Sequence, residues 1–267
     1  VPISLVQYAL GAVCGVFVGF TLGLVGGGGS ILAVPLIVYG VGVSDPHFAI
    51  GTSAIAVAAN AAINLMTHAR AGIVKWGCVG LFALSGIVGA YLGSSLGKAI
   101  DGQKLLFLFA LLMIAVGILM LRRRQADGYP DVKLCAANAP KLVVLGFLTG
   151  GLSGFFGIGG GFLIVPGLML ATGMPILNAV GSSLLAVGAF GITTAANYAL
   201  SGWVDWLLAA VFVAGGIAGG LGGVKLAHGL AARRGLLNAV FASLIFVVAA
   251  YVLYRSRGAF WFPHWIL

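Results

Sequence analysis

Apolar residues run along this chain in long blocks that polar residues barely interrupt. The blocks cover roughly residues 3–25, 47–68, 74–97 and 104–121, then 142–156, 177–199, 205–227 and 236–254. An α-helix needs about 20 apolar residues to cross a bilayer, and most of these blocks are close to that length. Two shorter blocks, 30–41 and 162–171, each follow a run of glycines and each carry a proline. They are too short to span untilted. Each either folds back as a re-entrant half-helix or extends the span before it. Only one long polar stretch occurs, Arg122 to Lys141, with Arg122, Arg123, Arg124, Lys133 and Lys141 around the turn formers Asp127, Gly128 and Pro130. The chain therefore divides into a membrane bundle at 1–121, a basic connecting loop at 122–141 and a second bundle at 142–254. The tail, 255–267, mixes aromatics with Arg255 and Arg257 and suits the membrane interface.

The two bundles repeat one another. With Pro35 set on Pro166, 9 of the 21 positions from 15 to 35 are identical to those from 146 to 166. Dropping one loop residue then matches Gly51-Thr52-Ser53 to Gly181-Ser182-Ser183, Gly72 to Gly202, Val74 to Val204 and Trp76 to Trp206. A duplicated, glycine-interrupted apolar element is the best sequence pointer to the binding site of a membrane transporter.

Composition agrees with a lipid solvent. Hydrophobic residues make up 61% of the chain and charged residues 7%, where a soluble domain carries about 25% charged residues. The net charge of +9 could suggest nucleic acid, but basic residues flanking spans explain it better, so no nucleic-acid partner is expected. If the halves are inverted, one membrane face holds 10 of the basic residues and the other 4; a parallel arrangement gives 9 and 5. The first split is the cleaner one and puts both termini outside. All five acids are Asp, there is no Glu, and no Asp lies mid-block. Cys14, Cys78 and Cys135 are scattered, without metal-ligand spacing. Neither a metal nor a cofactor is expected.

The glycine runs are the first chemical candidates. Gly26, Gly27, Gly28, Gly29 and Ser30 match Gly157, Gly159, Gly160 and Gly161 of the second half. A broken helix at membrane depth is tolerated where it lines a cavity, and the helix start that follows offers unpaired N–H groups to an anion. No strand or downstream acid is arranged for a dinucleotide-binding reading. Thr52, Ser53, Ser182 and Ser183 stand where each long helix was expected to open, as caps or as hydroxyl donors. Asn60, Asn64, Thr67 and His68 share one face of block 47–68, and the second half offers Thr193, Thr194, Asn197 and Tyr198. Polar groups in lipid usually face a bundle interior, so Asn64 and Asn197 are assigned to the cavity wall and His68 to proton coupling. Gly86, Gly89 and Gly93, with Gly216, Gly219 and Gly223, read as packing seams. No catalytic constellation is visible, so enzyme activity is not expected.

The segment Gly23 to Pro35, with Gly51-Thr52-Ser53, His68, Gly72 and Trp76, resembles the TauE/SafE sulfite-exporter family. Gly154 to Pro166, Gly181-Ser182-Ser183 and Gly202 to Trp206 resemble its second copy. The resemblance covers nearly the whole chain and implies about eight spans. It also implies transport of small sulfur-containing anions such as sulfite, sulfoacetate and related sulfonates. His68 against Tyr198 and Lys75 against Asp205 depart from strict repeat symmetry. The expectation is an all-α polytopic protein of the bacterial inner membrane. It is built of two homologous, inverted repeats and works as a secondary carrier and exporter of a small anion bound between the two glycine breaks. Its partners would be that anion and the lipid bilayer, with room for a homo-oligomer. A channel-like anion pathway is the alternative; a membrane scaffold or an intramembrane enzyme follows behind it.

Overall fold

A computed structural model describes residues 4–122, 132–157, 161–230 and 234–256. The chain is helical throughout these residues. The first half runs α1 (Leu5–Val25), a 3-10 turn (Gly26–Leu32), a single α turn α2 (Ala33–Pro35), a π segment (Leu36–Val41), α3 (Pro46–Arg70), α4 (Trp76–Lys98) and α5 (Gly102–Arg122). The second half runs α6 (Ala139–Phe156), α7 (Gly161–Thr172), α8 (Ile176–Leu200), α9 (Trp206–Leu230) and α10 (Arg234–Ser256). Among the described residues, six helices are long and apolar enough to cross a membrane. Shorter apolar stretches, including Gly102–Ile118 of α5 and Ile245–Arg255 of α10, complete the bundle. The outward faces are bare hydrocarbon, with Leu84, Leu96, Ile192 and Leu221 all exposed and Trp76 and Trp206 at helix starts. The protein is an integral membrane protein.

The segment after α1 doubles back. Gly29 lies against the Thr21–Leu22 backbone, Gly40 against Cys14, and the Gly42 carbonyl accepts a bond from Gln7 Nε2 at 3.4 Å. Residues 26–41 thus retrace α1 almost to its start. A 3-10 helix rises about 2.0 Å per residue against 1.5 Å for an α-helix, which helps so short a segment keep pace. In the second half α7 packs back on α6, with Gly167 beside Thr149.

The helices held at backbone contact pair across the halves. α1 packs along α9: Gly15 meets Phe212, Gly19 meets Gly216, and Gly223 meets Phe20. α4 packs along α6: Gly146 meets Phe82, Gly150 meets Gly86, and Gly93 meets Gly151. These are the small-residue seams that the sequence pattern marked. A methyl group on Gly19 or Gly150 would overlap the facing carbonyl, so only glycine permits such close backbone contact. α3 and α8 cross antiparallel at the centre: Gly51 faces Tyr198, Ala54 and Ala58 face Gly191, and His68 faces Gly181. Phe82, Phe190 and Phe212 are fully buried around this crossing.

Both ends of the bundle are distinct. One end gathers the start of α3, the α4–α5 junction and the α8–α9 junction. It is tied by His47 Nε2 to the Ile100 carbonyl (3.1 Å) and by Lys98 Nζ to Asn197 Oδ1 (2.7 Å). Asp45, Asp101 and Asp205 all lie at this end, which is here called the acidic end. The other end gathers the close of α3 and the starts of α4 and α6, with Arg70, Lys75 and Lys141.

Candidate functional site

The two glycine breaks take different local forms. In the first, Gly26–Leu32 is a 3-10 turn, and the Thr21 hydroxyl reaches the Gly29 carbonyl at 3.4 Å. Ser30 is fully buried. In the second, Gly157 closes α6 at φ +69°, in the left-handed region that favours glycine. Its N–H donates to the Gly154 and Ser153 carbonyls, and its Cα packs against Ile50 of α3. Gly159 and Gly160 lie outside the described residues. Gly161 opens α7 and is buried. Gly26, Gly27 and Gly28 belong to the 3-10 turn.

The 3-10 turn of the first break packs on α7, the helix that follows the second. Gly157 lies level with Ile50. Gly29 lies beside Leu22, where α1 passes Gly220 and Gly223 of α9; Gly220 in turn lies beside Asn64 of α3. Ile50 and Asn64 are separated by about 21 Å along α3. Gly157 and Gly29 thus lie at different levels of the α3–α8 pair, because residues 26–41 run back along α1 from its far end.

Thr52 and Ser182 do not open their own helices. α3 starts at Pro46, capped by Asp45, and α8 starts at Ile176 after Pro175. Six residues in, Thr52 Oγ1 accepts the Asp205 N–H at 3.0 Å and Ser182 Oγ accepts the Lys75 N–H at 2.8 Å. Each hydroxyl caps the start of the other half's next helix, α9 or α4. An accepted bond uses a lone pair and not the hydroxyl's own proton. Ser53 and Ser183 donate back to the Ile50 and Val180 carbonyls of their own helices.

Asn64 is buried and donates to the Asn60 carbonyl, while His68 Nδ1 meets the Asn64 carbonyl at 3.0 Å. Thr67, expected on the same face, is exposed. Asn197 is spent on a network at the acidic end: its Nδ2 donates to Ser94 Oγ (2.6 Å) and Ser95 Oγ (3.0 Å), and its Oδ1 receives Lys98. It ties α4 to α8 there.

The three described Asp side chains all cap helices. Asp45 receives His47 N–H, Asp101 receives Gln103 N–H and Lys104 N–H, and Asp205 receives Leu208 N–H. A carboxylate used as an N-cap has a structural role that Asn fills about equally well. Asp101→Asn and Asp205→Asn are therefore expected to leave substrate flux within about twofold of the parent, measured in reconstituted vesicles.

Three fully buried hydroxyls have no hydrogen-bond partner: Ser153 Oγ on α6, Thr194 Oγ1 and Tyr198 OH on α8. A buried hydroxyl without a partner is destabilising by about 1–3 kcal/mol, so each calls for an explanation. Ser153 lies one turn inward of Gly157. Thr194 lies one turn inward of Tyr198, which packs on Gly51. Both therefore sit one turn from the level of Ile50 and Gly51, and Ser153 lies on the helix that leads into the second break. The equivalent positions of the first half hold Leu22 and Asn64, so this feature belongs to one half only. The sequence hinted at Thr194 through its polarity in an apolar block, whereas nothing in it singled out Ser153. Hydroxyl donors beside the first N–H groups of α7 can bind an oxyanion without a buried cation.

The family described as "Sulfite exporter TauE/SafE" matches residues 11–252. A "Probable membrane transporter protein" of Xylella fastidiosa (strain 9a5c) is 55% identical over 247 residues, covering 91% of this chain and 93% of that protein. One from Methanocaldococcus jannaschii is 30% identical over 203 residues, covering 73% and 72%. One from Bacillus subtilis, YdhB, is 28% identical over 249 residues, covering 90% and 94%. No solved structure matches. With nearly its whole length matched, the chain belongs to the TauE/SafE family of membrane transporters.

Proposed function

We propose that the protein is a secondary carrier that exports small sulfur-containing oxyanions, such as sulfite or a sulfonate, across the bacterial inner membrane. One observation carries this reading: unpartnered, fully buried hydroxyls stand beside a glycine break in a membrane bundle that has been duplicated. Hydroxyl and backbone donors suit an oxyanion, which offers several acceptor oxygens. In this reading the halves are inverted. Its support is that α3 and α8 occupy equivalent sequence positions and run antiparallel. Equivalent helices that run antiparallel across a membrane are related by an axis in the membrane plane. The two breaks then serve as half-sites nearer opposite faces, and the anion passes between them along the α3–α8 crossing as the halves rock.

Vesicle transport tests the reading. Purified protein in proteoliposomes is expected to give saturable uptake of radiolabelled sulfite or methanesulfonate, with counterflow when unlabelled anion is trapped inside. Flux that neither saturates nor shows counterflow points instead to a channel. No flux of any oxyanion rejects transport of this class.

A further inference from the structure

At the acidic end, one helical turn outward from Thr194, four side chains that the sequence reading assigned no role come together. His47 stacks on Trp203 with ring centroids 4.8 Å apart and lies 6.1 Å from the Tyr198 ring. Lys98 Nζ stands 6.0 Å from the Tyr198 ring centroid. Two buried polar atoms in this cluster have no partner: His47 Nδ1 and Tyr198 OH. The Ile100 carbonyl fixes His47, because a carbonyl can only accept, so Nε2 carries a hydrogen and donates at 3.1 Å. Neutral His47 thus presents a bare Nδ1 lone pair, and protonation would turn that atom into a donor. Lys98 spends its hydrogen bonds on neutral acceptors only: the Asn197 carbonyl (3.1 Å), Asn197 Oδ1 (2.7 Å) and Ser201 Oγ (2.9 Å). None of these partners offsets its charge.

We propose that His47, Tyr198 and Lys98 form a proton-linked binding site for a small oxyanion at the acidic end of the bundle. The proposal rests on the anion-carrier reading and deepens it. Tyr198 OH donates one hydrogen bond to the anion. Protonated His47 Nδ1–H donates a second, and Lys98 supplies a fixed positive charge nearby. The proton comes from bulk water with the anion, so one positive and one negative charge are taken up together and no redox partner is needed. The neighbouring charges set the balance. Asp45 on the same helix start, Asp101 beyond Ile100 and Asp205 at the α9 start repel the anion. Lys98 from α4 attracts it. Protonation of His47 is what tips the site toward binding. The equivalent positions of the other half hold Leu177, His68 and His228, and there His68 Nδ1 is already engaged with the Asn64 carbonyl. The sites at the two ends are therefore chemically unlike, which fits a carrier that loads and releases under different conditions.

Methanesulfonate tests this, because its own charge is constant between pH 5.5 and pH 8. Its affinity for the full-length protein in detergent is measured by calorimetry at both values. Affinity is expected to be about tenfold tighter at pH 5.5. His47→Gln is expected to remove that difference. Tyr198→Phe keeps the ring and its packing, and is expected to weaken binding about tenfold at both pH values. An unchanged pH dependence in His47→Gln, or unchanged affinity in Tyr198→Phe, overturns the proposal. Binding that is independent of pH in the parent yet lost in Ser153→Ala rejects this site and leaves the carrier reading standing. Binding of neither methanesulfonate nor sulfate at either pH overturns both.

Discussion

Valine at Gly19 or Gly150 is expected to abolish folded protein, while valine at Gly80 is tolerated. A Cβ on Gly19 would overlap the Gly216 carbonyl, and one on Gly150 would overlap the Gly86 carbonyl. The obstacle is backbone in both cases, so no side-chain rotation relieves it. Relief requires α1 to part from α9, or α6 from α4, along the whole seam. Overpacking a core costs about 1–3 kcal/mol when side chains can shift, and separation of two helices costs more, a large share of any membrane protein's stability. Gly80 sits on α4 with nothing within 4 Å of an added Cβ, so it controls for valine in a membrane helix. The measurement is the yield of monodisperse protein on gel filtration in mild detergent, with thermal unfolding of what survives. Equal yields for Gly19→Val and Gly80→Val would show that α1 and α9 are not held at backbone contact.

Removing the hydroxyls of Ser153 and Thr194 together is expected to cripple transport without loss of fold. Ser153→Ala and Thr194→Val each delete an atom that has no partner in the protein. Deletion of an unpaired buried hydroxyl relieves its desolvation cost, so the thermal midpoint should rise or stay level. A hydrogen bond to a charged ligand contributes about 1.5–3 kcal/mol. Loss of one therefore predicts about a 10- to 100-fold rise in KM for sulfite or sulfonate, and loss of both predicts flux close to that of empty vesicles. A fall in the thermal midpoint with normal KM would assign the pair to packing and remove them from the site. This double variant separates function from folding better than a substitution in either glycine run. Gly29 is pinned against Leu22, and Gly157 sits at positive φ, so side chains there disturb the fold before they reach a ligand.

Sequence alone determined the membrane location and the helical class. A chain with 61% hydrophobic residues cannot cover itself with polar surface, and backbone polar groups in lipid must pair within a helix. Both facts are local and show in composition and block length. The glycine seams were legible for the same reason, since spacing along one helix fixes which residues share a face. Tertiary structure decided which helix each seam meets, because a face carries no address: Gly19 and Gly150 each pair with the other half, at Gly216 and Gly86. Only the fold showed that Thr52 and Ser182 cap α9 and α4, since those bonds join residues more than 100 positions apart. It likewise put Gly29 and Gly157 at different levels of α3, because residues 26–41 run back along α1, a reversal that the glycine run permits but does not dictate. The unpaired Ser153, Thr194, Tyr198 and His47 Nδ1 could not be read from sequence at all. Whether a polar atom finds a partner depends on the far ends of side chains from several helices, and that is settled only when the helices are packed.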